Sequence, residues 1–163
     1  MHVLTLLFLV ALVSQAAVQL WLARRQIMYV DAHAATVPAG FASVISPADH
    51  AKAAAYTVAK QRLGMVETVY DVLITLGLTI GGGIALVGAW SAQATASPLL
   101  SGTLHVLGVF AAMALLGLPF SIYRTFVQEQ RFGFNRTRPA VFVADLVKSW
   151  TLGLVLGAAV AAG

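Results

Sequence analysis

Val3 to Leu22 is a run of twenty residues without a charge, its polar members being Thr5, Ser14, Gln15 and Gln19. Wound as a helix at roughly 1.5 Å per residue, it reaches about 30 Å, the thickness of a bilayer's hydrocarbon core. Three more apolar stretches follow at Met65–Trp90, Leu99–Phe120 and Val141–Gly163. Charged residues make up 10% of the chain, against about a quarter in soluble globular proteins. Lipid is therefore the solvent this chain is built for. The expected fold is all-α: an integral membrane bundle of about four transmembrane helices with one cytoplasmic helical extension, forming a single domain over residues 1–163.

A secretory signal is the rival reading of the first run, because Ser14-Gln15-Ala16 loosely resembles a cleavage site. No Lys or Arg precedes the run, and Arg24 and Arg25 come after it. That order suits an uncleaved anchor with its N-terminus outside.

Ala23–Gly64 is polar and holds five cations, Arg24, Arg25, Lys52, Lys60 and Arg62. Its second half reads as a helix: Ser46 caps the first turn, Pro47 takes the first helical position, and Asp49 faces the positive end of the dipole. Only Gly64 and the Gly81-Gly82-Gly83 run interrupt the path from Pro47 to Trp90, so one long rod is expected. The connection Ser91–Pro98 has no charge, whereas Arg124–Arg138 carries four of the ten cations. By the positive-inside rule, the basic segments 23–64 and 121–140 are cytoplasmic and both termini are outside. The net charge of +4 is spent on orientation rather than on nucleic acid.

The absence of cysteine excludes disulfides, thiolate metal sites and a cysteine nucleophile. None of the four histidines, His2, His33, His50 and His105, sits in an H-E-x-x-H pattern. Asp31 and His33 supply two possible ligands without a third, which reads as a solvated loop. Two GxxxG patterns, Gly77–Gly81 and Gly153–Gly157, mark possible close approaches between helices. Gln15 and Gln19 are expected to hydrogen-bond across helices, and Glu67 and Asp71 to lie near the interface within reach of water, Lys60 and Arg62. Asn135-Arg-Thr137 matches a glycosylation sequon, but on the basic, cytoplasmic side.

The stretch "YRTFVQEQRFGFNRTRP" reads as a helix leaving the membrane and turning. Glu129 is placed to pair with Arg131 or another loop cation. Gly133 permits a left-handed turn, Thr137 is a candidate cap for the next helix, and Pro139 falls in that helix's first turn. Asp145 and Lys148, three residues apart in the last span, can offset each other's charge.

The order "LPFSIYRTFVQEQRFGFN", followed by Asp145 and Lys148, resembles the N-terminal membrane region of the type I CAAX prenyl proteases, integral-membrane zinc metallopeptidases. The matched positions are Leu118, Pro119, Tyr123, Phe126, Glu129, Phe132, Gly133, Phe134, Asn135, Asp145 and Lys148. Looser agreement occurs at Arg25, Gln26, Pro38, Lys52, Tyr56 and Lys60. The resemblance implies an intramembrane chamber closed by a zinc-peptidase portion, with peptides cut at a prenylated cysteine. It implies a zinc cofactor for the complete enzyme and none in this chain, because the H-E-x-x-H pair lies beyond the matched segment. The expected partners are the bilayer, the missing catalytic portion, from the same chain or an adjacent gene product, and a peptide substrate. On this reading residues 1–163 are inactive alone. The alternative is a stand-alone four-helix membrane scaffold that binds lipid or a protein partner.

Overall fold

The computed structural model describes the backbone of residues 2–162 and the side chains of residues 2–159. Among the described residues there is no strand. The chain divides into two compact units that meet between Ile74 and Thr75.

In the first unit, α1 spans Val3–His33 and α2 begins at Pro47, running as Pro47–Thr79. The apolar run ends at Leu22, but the helix does not. Ala23–His33 contains no glycine or proline, so nothing local stops the winding. The polar segment read as 23–64 is thus mostly helix, with only residues 34–46 as the connection and a 3-10 turn at Ala39–Phe41. At the end of α1, His33 Nδ1 lies 2.8 Å from the carbonyl oxygen of Tyr29, and the two rings stack at 4.3 Å. This occupies the imidazole considered above as a loop ligand. His50 Nε2 lies 3.2 Å from the carbonyl oxygen of His33, tying the end of α1 to the first turn of α2.

The start of α2 follows its sequence signals. Ser46 Oγ accepts the Asp49 N–H at 3.1 Å and donates to Asp49 Oδ2 at 2.6 Å, a reciprocal cap. Gly64 lies within the continuous helix. Higher on the same face, the Thr68 hydroxyl shares its one proton between the carbonyl oxygen of Gly64, at 2.9 Å, and Gln19 Oε1 of α1, at 3.4 Å. The interhelical role expected of the glutamines falls to Gln19.

The second unit starts with the last turn of α2. The expected rod breaks after Thr79, and α3, Gly83–Ala94, sets off at 49° to α2. Gly82 sits at φ 81, a left-handed conformation that glycine takes without the steric cost borne by other residues. A Cβ on Gly81 would stand 2.6 Å from the carbonyl oxygen of Gly77. The first GxxxG pattern therefore belongs to a helix end, not to a helix pair.

Ser97 caps α4, Pro98–Tyr123, with Pro98 at its first position. The helix continues out of the apolar stretch, as expected, through a π-turn, Arg124–Gln128, and a last turn at Glu129–Arg131. Helix α5 spans Pro139–Ala162. Glycine notches bring α3, α4 and α5 together: a Cβ on Gly88 would lie 2.9 Å from His105 Cε1, one on Gly108 2.7 Å from Val87 Cγ1, and one on Gly157 2.8 Å from Leu107 Cδ2. Of the second GxxxG pattern, Gly157 makes the contact and Gly153 faces open space.

The apolar residues buried among the described ones are Ala54 and Val58, while Leu4, Leu86 and Phe110 are largely exposed. Such a surface is stable only in lipid. Three helices are long and apolar enough to cross a bilayer, or four if the bent pair α2 and α3 makes one span.

Candidate functional site

The polar and aromatic residues singled out in the sequence gather where α4 leaves its apolar stretch. Pro119 lies inside α4 and has no N–H to donate, so one rung of the helical ladder is missing there. One turn later the bonding changes step. The Arg124 N–H is shared between the carbonyl oxygens of Phe120 and Ser121, and the Glu129 N–H reaches back five residues to that of Arg124. The extra residue in this turn is the mark of a π-bulge, a feature frequent at functional sites.

The bulge places Gln128 in the interior, 5% exposed, with neither Oε1 nor Nε2 hydrogen-bonded. A buried amide left unpaired costs about 1–3 kcal/mol. Phe126 of the same turn meets Phe142 of α5 edge-to-face, with ring centroids 5.3 Å apart. The π-turn is thereby packed against the helix that follows.

Gly133 reverses the chain at φ 74. Its N–H donates to the Gln130 carbonyl at 3.0 Å, and the Phe134 and Asn135 N–H groups both donate to the Glu129 carbonyl, at 2.9 and 3.2 Å. The F-G-F-N turn is a helix C-cap of the glycine type. Asn135 Oδ1 then accepts the Thr137 N–H at 2.7 Å, which steers the chain toward Pro139.

Two expectations change here. Helix α5 begins at Pro139, so Thr137 lies one residue outside the capping position, and it is Asn135 that organises the approach. Arg131 does not pair with Glu129 in the structure; its guanidinium carbon stands 6.0 Å from the Phe132 ring centroid. Glu129 contributes through its backbone carbonyl instead.

Asp145 and Lys148 do pair, at 3.9 Å, with most of each side chain exposed. Pro119 and Tyr123 lie upstream of the turn on α4, and Tyr123 is half-exposed. The site thus brings Glu129, Phe132, Gly133, Phe134 and Asn135 into one turn, with Asp145 and Lys148 as a separate pair on α5. Gln128 was missed by sequence reasoning, because a buried glutamine carries no signature of its own.

Zinc does not fit these residues. Among the described residues no group of three or more His, Cys, Asp or Glu side chains converges on a point, and a catalytic zinc is held by three protein ligands.

Comparison with known proteins adds a consistent picture. Residues 26–163 match the family described as CAAX prenyl protease N-terminal, five membrane helices. The chain is 30% identical over 131 residues to CAAX prenyl protease 1 homolog of Arabidopsis thaliana, covering 75% of this chain and 30% of that protein. It is 24% identical over 157 residues to Probable CAAX prenyl protease 1 of Schizosaccharomyces pombe, covering 88% of this chain and 33% of that protein. The crystal structure of S. mikatae Ste24p superposes with a TM-score of 0.80 at 21% identity, over 90% of this chain and 35% of that one. The helical arrangement is shared, and the chain spans about a third of the length of these relatives.

Proposed function

Because this chain belongs to the CAAX prenyl protease N-terminal family, we propose that residues 1–163 act as one membrane domain that forms part of the intramembrane chamber of a zinc metalloendopeptidase. The observation that carries this reading is the family match over residues 26–163. Hydrolysis in such an enzyme needs a metal-bound water and a carboxylate to take its proton. Residues 1–163 hold no H-E-x-x-H stretch, so on this reading they are not catalytic alone and work with a zinc-peptidase portion. The substrate is a peptide, cut next to a prenylated cysteine.

The turn at Gly133 takes a structural part in this proposal. Glu129, Phe132, Phe134 and Asn135 hold a fixed reversal beside the catalytic portion, Pro119 and Tyr123 shape the helix that leads into it, and Asp145 with Lys148 stabilises the helix that leaves it. The basic segments 23–64 and 121–140 lie on the cytoplasmic side, and the ends near His2 and Ala162 lie outside.

Two assays test the proposal. Purified residues 1–163, supplied with zinc and a prenylated peptide, release no product on this account; zinc-dependent cleavage would overturn it. The lack of native cysteine allows a clean topology test with single substitutions. Thr36→Cys and Thr137→Cys are expected to resist an impermeant maleimide in intact cells while Ala96→Cys reacts. Labelling of positions 96 and 137 from the same side would refute the orientation.

A further inference from the structure

Between α1 and α2, wholly within the first unit, lies an open cavity of about 640 Å³. Gln19, Arg25, Gln26 and Tyr29 of α1 face Gln61 and Thr68 of α2 across it, and Gly64 forms part of the wall. The spacing explains the convergence. Residues 19, 22, 26 and 29 share one face of α1, and 61, 64 and 68 share one face of α2.

Two sequence boundaries independently set the depth of this cavity. The apolar run of α1 ends at Leu22, and the apolar stretch entered by α2 begins at Met65. Both boundaries fall at the cavity, so it straddles the level where hydrocarbon gives way to lipid headgroups. Trp21 marks the same level, as aromatic residues do at membrane interfaces, and Tyr29 lies about two turns further along α1. The Arg25 guanidinium carbon stands 5.6 Å from the Trp21 ring centroid, which steadies the cation beside the opening.

The lining selects a ligand. It offers one guanidinium, three amides, a phenol and a hydroxyl, and no carboxylate. A guanidinium flanked by neutral donors suits a phosphodiester, which carries one negative charge and several acceptor oxygens. Deeper in, Thr68 occupies Gln19 Oε1, leaving the Gln19 amide N–H groups to donate toward ester carbonyls. Leu22 and Ala23 add apolar wall between Gln19 and Arg25. With polar groups along its length and apolar wall between them, at headgroup depth, the cavity matches an amphiphile.

We propose that the cavity between α1 and α2 is a binding site for the phosphate headgroup of an anionic phospholipid, with Arg25 as its counter-ion and Gln26 and Gln61 as neutral donors. The proposal is independent of the peptidase reading. It differs from a general attraction of basic segments to anionic membranes, because Arg24, next in sequence, does not line the cavity.

Gly64 supplies a second, uncharged way to test it. A Cβ at this position meets nothing within 4 Å, so Gly64→Leu enters the cavity wall without a clash at its Cβ and improves helix propensity. The experiment is native mass spectrometry of the full chain released from detergent, titrated with phosphatidylglycerol or phosphatidylcholine. Phosphatidylglycerol is expected to bind about tenfold more tightly, with Arg25→Gln removing about that preference. Gly64→Leu is expected to abolish the bound species, and Arg24→Gln to leave it unchanged. Retention of phosphatidylglycerol by Arg25→Gln or by Gly64→Leu overturns the proposal, and so does an equal loss in Arg24→Gln, which would show diffuse electrostatics. Displacement of the lipid by millimolar inorganic phosphate would show a site for phosphate alone, and displacement by a prenylated peptide a site for peptide; either result refutes the lipid assignment.

Discussion

The helix pair α1 and α2 and the trio α3, α4 and α5 are held together by different means. In the first, hydrogen bonds make the junctions: Thr68 to Gln19 and His50 to the carbonyl of His33. In the second, glycines do: Gly88 under His105, Gly108 under Val87 and Gly157 under Leu107. Lipid tails are as apolar as leucine, so helices in a bilayer gain little from hydrophobic burial and associate through close packing or polar contacts. Glycine notches draw backbones together and fill the space between them. Polar side chains hold helices at arm's length, and the α1–α2 pair accordingly keeps a cavity. The first arrangement suits binding, the second suits a rigid frame.

Substitution can break this contrast or sharpen it. The largest effect is expected at Gly108, where an added methyl would stand 2.7 Å from the branched Val87. Gly108→Ala should lower the unfolding free energy in mixed micelles by about 1–3 kcal/mol, the usual cost of overpacking. Next comes Gly133→Val, which forces a β-branched residue into φ 74 at a cost of about 1–2 kcal/mol; protease nicking near residue 133 should rise with it. Gly157→Ala is expected to cost less than Gly108→Ala in the same unfolding assay, because the atom it meets is the mobile end of Leu107.

Thr68→Val tests the polar junction and should cost about 0.6 kcal/mol, the average found for hydrogen bonds between membrane helices. A loss larger than that of Gly108→Ala would reverse the comparison. The smallest effect is expected at Asp145→Ala, since the pair with Lys148 is long, at 3.9 Å, and lies toward the N-terminal end of α5, where a charge costs less than at mid-membrane.

Much of this architecture is written locally in the sequence. The Ser46–Pro47–Asp49 cap, the apolar runs and the reversal at Gly133 each follow from a few adjacent residues. Where local rules fell short, the physics explains why. The end of an apolar run marks the edge of the membrane, not the end of a helix, so α1 winds on to His33. Gly64 was a plausible stop and Gly82, at φ 81, the real one. The π-turn at Arg124–Gln128 is a slip of one residue in hydrogen bonding, which leaves no compositional trace. Which glycine of a GxxxG pattern touches a neighbour depends on helix rotation, and the cavity depends on the pairing of two distant faces. Both are tertiary facts.

The proposal at the centre is that these residues supply the membrane framework of a zinc peptidase whose chemistry lies elsewhere. It is tested most directly by the rate of prenylated-peptide cleavage from a chimera that joins residues 1–163 to the H-E-x-x-H-bearing portion of a full-length relative. The account predicts zinc-dependent cleavage by the chimera, a loss of about tenfold or more on introducing Gly133→Val, and none from residues 1–163 by themselves. A folded, zinc-loaded chimera that cleaves nothing, or one indifferent to Gly133→Val, would contradict it.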